Sequence, residues 1–124
     1  MRQSADILGP LAQGIERRVA KGSSRFGALV ASYLNDAHLD SAEEGCVVAA
    51  LASEMARQDE AVRDGARRRV AALVSLVRSV LPAGAANARA EVIAATMVGA
   101  LQLARTLGGK AGRDLLAQTR KSLL

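Results

Sequence analysis

Aromatic residues are almost missing from this 124-residue sequence: Phe26 and Tyr33 are the only two, and there is no Trp. Sheets rely heavily on β-branched and aromatic cross-strand pairs, so this scarcity argues against a sheet-rich core. It also argues against single-stranded nucleic-acid binding, which wants ring faces for bases to stack on. Cysteine is nearly absent too. Cys46 stands alone, so no intrachain disulfide can form, and a reducing, cytoplasmic setting is expected. One cysteine and one histidine, His38, cannot assemble a structural zinc site. No G-x-S-x-G marks a serine nucleophile, and nothing local gives His38 a catalytic partner. The reading is therefore a non-enzyme with no catalytic residues, no metal and no cofactor. Long apolar runs are missing as well. The longest uncharged stretch, Val92 to Ala104, spans 13 residues. A bilayer-crossing helix needs about 20. The first residues, Met1 to Asp6, lead into no apolar segment of signal-peptide type.

What is present is helix-forming. Half the residues are apolar, most of them Ala, Leu and Val. A chain of this length is one domain, residues 1–124, and buries roughly two-thirds of its unfolded surface. Apolar positions recur at helical spacing in six segments. The first, about Ser4 to Ala20, carries Ile7, Leu8, Leu11, Ile15 and Val19, with Gly9 and Pro10 casting doubt on its first turn. The second, about Ser24 to Asp36, carries Phe26, Leu29, Val30, Tyr33 and Leu34. The third opens on Ser41-Ala42-Glu43-Glu44, a capping box, and runs through Cys46, Val47, Ala50, Leu51 and Met55 to about Arg57. The fourth, about Asp59 to Leu81, sets Val62, Ala66, Val70, Leu73, Val74, Val77 and Leu81 on one stripe and Arg63, Asp64, Arg67 and Arg68 opposite. The fifth, about Ala85 to Leu107, has two stripes: Val92, Ile93, Met97, Leu101 and Ala104, and a smoother one of Ala95, Gly99 and Leu103. Gly108-Gly109 stops it. The sixth, about Ala111 to Leu124, carries Ala111, Leu115, Leu116, Thr119 and Leu123, with Arg120 and Lys121 suited to its C-terminal dipole. The expected fold is all-α, a six-helix bundle.

The net charge of +5 permits anionic partners, but its distribution is bland. Arg67-Arg68-Arg69 follows Asp59, Glu60 and Asp64 by about a turn, which favours pairing on a solvated face. Gly108-Gly109-Lys110-Ala111 lacks the first Gly and the hydroxyl residue of a phosphate loop and reads as a helix break.

The ordered set Arg25-Phe26-Gly27-Ala28-Leu29-Val30, Tyr33-Leu34, His38, Gly45-Cys46, Glu54-Met55-Ala56-Arg57 and Ala61-Val62-Arg63, followed by Ala95 to Arg105, resembles the C-terminal domain of the tetracycline-repressor family of bacterial transcriptional regulators. The resemblance covers roughly Arg25 to Leu124. It implies a helical domain that binds an effector and dimerises through its last two long helices. It also implies an N-terminal helix-turn-helix that reads operator DNA. Residues 1–21 are too short for that module, so this chain alone is expected not to read DNA.

Two candidate sites follow. One is a pocket framed by Phe26, Val30, Tyr33, Cys46, Ala50, Glu54, Val74, Val77, Ile93 and Met97, for a small apolar or cationic effector. Cys46 within it reads equally as a small buried apolar residue. Glu54 lies eight residues further on, about 80° round the helix. It either selects a cationic ligand or pairs with Arg57 or Gln58 at the surface. The other site is a homodimer interface drawn from Ala95, Val98, Gly99, Gln102, Leu103, Leu115, Leu116 and Thr119. Ala94, Ala95, Gly99 and Ala100 give a smooth surface for close helix approach, and two-fold contact is the commonest way to bury one. A competing reading makes the chain a helical dimerisation module with no ligand, pairing with itself or a full-length relative.

Overall fold

The computed structural model describes residues 2–37 and 60–124, with backbone only for residues 2–8. Five helices stand among the described residues, and no strand: α1 (Arg2–Ala20), α2 (Arg25–Tyr33), α3 (Glu60–Val80), α4 (Asn87–Leu107) and α5 (Gly109–Leu123). They match five of the six segments expected from the sequence. The third segment, Ser41 to Arg57, lies outside the described residues, so the fold is all-α with five helices described rather than six.

Helix boundaries follow local chemistry. α1 runs through Pro10 without a break, so the first turn that Gly9 and Pro10 called into doubt is helical. It ends in a Schellman motif: the Ser23 N–H donates to the Arg18 carbonyl and the Gly22 N–H to that of Val19, both near 3.0 Å. Gly22 has φ +107°, which only glycine adopts at little cost. Ser24 then caps α2, its Oγ accepting the Gly27 N–H at 3.0 Å. α2 stops at Tyr33, three residues before the expected Asp36. Between α4 and α5 a single residue, Gly108 at φ +71°, serves as the end of one helix and the start of the next.

α4 is the spine. It supplies Ala90, Ile93, Ala94, Met97, Ala100, Leu101 and Ala104 to the buried core. α2 adds Ala28, Leu29, Val30, Tyr33 and Leu34, α3 adds Val77 and Val80, α1 adds Ile15 and α5 adds Leu116. Each large side chain buried in this way contributes about 1.5–3 kcal/mol of transfer free energy. No polar or charged side chain among the described residues is buried. α5 packs chiefly on α4, α1 on α2, and α3 on α4.

Several stripes are rotated from their expected positions. Val92 is 63% exposed, not part of the core stripe of α4, while Ala94 and Ala100 belong to the core rather than to an outer surface. On α3, Val62 and Val70 are exposed and Val80, outside the predicted stripe, is buried. On α5 the residue facing α4 is Gly112 rather than Ala111. A Cβ at Gly112 would fall 3.2 Å from the Ala104 carbonyl carbon and closer still to its oxygen, so the tight α4–α5 corner needs glycine there.

An apolar wall and an uncovered helix face

α2, α3 and α4 bring seven of the ten candidate pocket residues together. Val30, Tyr33, Val77, Ile93 and Met97 share one buried cluster, and Phe26 and Val74 are half-buried against it. The cause is helical spacing: positions 26, 30 and 33 share a face of α2, 74 and 77 one of α3, and 93 and 97 one of α4. The wall they form is apolar, and Tyr33, 5% exposed, brings its one hydroxyl. Cys46, Ala50 and Glu54 lie outside the described residues, and so does His38.

The end of α2, where the wall stops, is held by two side chains. Asn35 Nδ2 donates to the carbonyls of Ala31 (3.1 Å) and Ser32 (2.8 Å). From the far end of the sequence, the Arg120 guanidinium on α5 donates to the Leu34 carbonyl. Arg120 stands with Lys121 in the last turn of its own helix, as its position in the sequence suggested, and its guanidinium also reaches the end of α2. A guanidinium satisfies a helix-end carbonyl and complements the helix dipole in either case.

The second candidate site lies on the other side of α4. Leu103 is 59% exposed, Ala95 and Gln102 are exposed, and Val98 and Gly99 are half-buried. A Cβ placed on Gly99 would meet nothing within 4 Å among the described residues, which leave that position open. Val92 and Leu107, 59% exposed, extend the patch in both directions. Both fall within Glu91–Leu107, which with Arg113–Leu124 is the stretch the sequence suggests for dimer contact, and the spacing 92, 96, 99, 103, 107 follows one helical face. On α5, Leu115 and Thr119 are half-buried, with the Thr119 hydroxyl donating to the Leu115 carbonyl at 2.8 Å. Leu116 is fully buried within the protomer and presents no surface outward.

A family model described as tetracyclin repressor-like, C-terminal domain, matches residues 22–119. The chain belongs to that family. No curated protein and no solved structure gives a significant match. As a tetracycline-repressor-like C-terminal domain, the protein falls in a family of transcriptional regulators rather than enzymes, and the all-helical fold agrees with it.

The remaining charges of this repressor-like domain are mostly engaged in surface pairs. Arg67 reaches Glu60 at 3.1 Å and also Asp64, and donating a hydrogen bond to the Glu60 carboxylate raises its pKa above the ordinary arginine value. Arg25 pairs with Glu16 at 3.1 Å and Arg18 donates to the Ser32 hydroxyl at 3.1 Å, lacing α1 to α2. Exposed pairs of this kind add little stability. Among the described helices, α4 alone is long and apolar enough to cross a membrane by length and composition. One of its faces is core, however, and Arg89, Glu91 and Arg105 bound an uncharged run of about 20 Å, short of a hydrocarbon layer about 30 Å thick.

Proposed function

We propose that this chain is the effector-binding and dimerisation domain of a tetracycline-repressor-like transcriptional regulator, acting in the cytoplasm as a homodimer. The observation that carries the reading is the double use of α4 within a domain of this family. One face completes the apolar wall with Ile93 and Met97, and the other leaves Val92, Gly99, Leu103 and Leu107 uncovered. A two-fold contact over the second face, extended by Leu115 and Thr119, buries it. The effector is small and apolar, or cationic if Glu54 faces the wall. Residues 1–124 are assigned no operator reading of their own. α1 runs as one continuous helix, and base readout needs a short recognition helix after a tight turn.

Light scattering at micromolar concentration tests the dimer. A dimer that Gly99→Arg converts to monomer is the expected result; a wild-type monomer, or a Gly99→Arg dimer, removes the interface. A thermal-shift screen of small apolar and cationic compounds tests the sensing half, because a ligand bound only by the native state raises Tm. Fluorescence anisotropy with DNA at physiological salt tests the last part. Only weak, salt-sensitive binding is expected, and tight sequence-dependent binding overturns it.

A second reading is favoured by one observation. Val30, Val77 and Met97 are fully buried against one another in the continuous core, the packing of a wall that needs no ligand. On that reading the chain is a dimerisation module, pairing with itself or with a full-length relative. A dimer that no compound in the screen stabilises is its signature.

A further inference from the structure

α5 packs chiefly on α4, and a long-range polar contact fastens its last turn to α2. Of its fifteen residues only Gly112 and Leu116 are buried. Its last turn lies along α2. Leu124 approaches Gly27, with its Cδ2 3.8 Å from where a Cβ on that glycine would stand, and one turn earlier Arg120 donates to the carbonyl of Leu34. Leu34 is fully buried and closes α2, its own N–H donating to the Val30 carbonyl at 2.9 Å. Val30 and Tyr33, which belong to the apolar wall, sit on this same last turn. The Leu34 carbonyl is one of the helix-end acceptors that α2 cannot satisfy internally, and a charged donor makes a stronger bond to it than a neutral one.

We propose that Arg120 is a latch between the α4–α5 face and the end of α2, so that covering that face with a second copy of the chain tightens the wall formed by Val30 and Tyr33. The inference rests on the interface proposed above. Its physical basis is local stability. A helix anchored by two buried residues opens more readily than the core does, and when it opens the bond to Leu34 is lost. A second chain packed on Leu115 and Thr119 holds α5 closed, and the latch passes that order to α2. By linkage, whatever fixes the wall favours the dimer to the same degree.

The test is residue-resolved amide hydrogen exchange on the full chain, above and below its dimer dissociation constant, with light scattering on the same samples. In the wild type, dimerisation is expected to slow exchange at the Leu34 amide by about tenfold, the scale of one charge-assisted hydrogen bond. In Arg120→Met the dimer persists by scattering and the slowing at Leu34 disappears. Arg120→Lys, which keeps a cationic donor, restores part of it. The Ile15 amide on α1 serves as the control, since global unfolding of a variant moves Ile15 and Leu34 together. A wild-type dimer with no slowing at Leu34, or an Arg120→Met dimer that keeps it, overturns the latch and leaves the interface standing. A chain that scatters as a monomer at every concentration overturns the interface and the latch with it.

Discussion

The two long faces of α4 are built from similar residues and have different fates. One carries Ile93, Met97, Leu101 and Ala104 and is buried, chiefly against α3 and α5. The other carries Val92, Leu103 and Leu107, all exposed, and Gly99, whose Cβ position meets no atom of the described residues within 4 Å. The buried face is complete: its side chains vary in size, and Gly112 of α5 lets the next helix touch the backbone at Ala104. The open face has a glycine at its centre with room for another helix and leucines towards one end. What the pair teaches is that hydrophobicity marks a helix face for burial without saying whether the same chain buries it. A soluble monomer seldom leaves a long contiguous apolar patch on one helix, and such patches mark contacts with a partner.

The contrast breaks first on its buried side. Met97→Ala removes a fully buried side chain at the centre of the core and is expected to cost about 2–5 kcal/mol, read as a lower urea midpoint at unchanged m-value. Gly112→Ala forces a methyl onto the Ala104 carbonyl and is expected to cost about 1–3 kcal/mol, with a matching fall in Tm. On the open side the same chemistry gives a different readout. Leu103→Glu is expected to leave protomer stability within about 0.5 kcal/mol while weakening dimerisation at least about tenfold in sedimentation equilibrium. If Leu103→Glu destabilises the protomer as Met97→Ala does, the two faces are not distinct.

The smallest effect belongs to the charges. Glu60→Gln breaks the pair with Arg67 on a solvated face and is expected to leave the urea midpoint unchanged. The sign of the titration agrees. Arg67 has its pKa raised by Glu60 and Asp64, so any stability from this group is present below its unfolded value. It is lost only as pH climbs through the still higher folded value, far into the alkaline range. Stability measured across neutral pH is therefore expected to show no step from this cluster, and a lowered urea midpoint in Glu60→Gln would assign the pair a structural role.

Much of the fold was legible because its signals are local. Ser24 and Gly22 mark the α1–α2 break, and Gly108-Gly109 the α4–α5 break, by chemistry that acts over three or four residues. That Val30, Tyr33, Val77, Ile93 and Met97 face the core was legible for the same reason: their spacing on each helix puts them on one side. Reading Val92 as core failed because the buried face of α4 runs through Ile93, Ala94, Met97, Leu101 and Ala104, and at about 100° per residue Val92 falls on the opposite side of the helix from Met97 and Leu101. Placing Leu116 at the interface failed likewise, since Leu115 and Leu116 stand about 100° apart and only one can face α4.

The sequence by itself determined that this chain is helical, where most of its helices begin and end, and that its fifth segment is apolar on two sides. Those properties follow from propensity, capping and periodicity, which act within a few turns. Only the tertiary structure decided which side of that helix is core, that α5 approaches α4 through Gly112, and that Arg120, in the last turn of its own helix, also reaches the end of α2. Each of these depends on which elements become neighbours in space, as with Arg120 and the Leu34 carbonyl 86 residues before it. A pattern with a period of 3.6 residues carries no information about a partner so far along the chain.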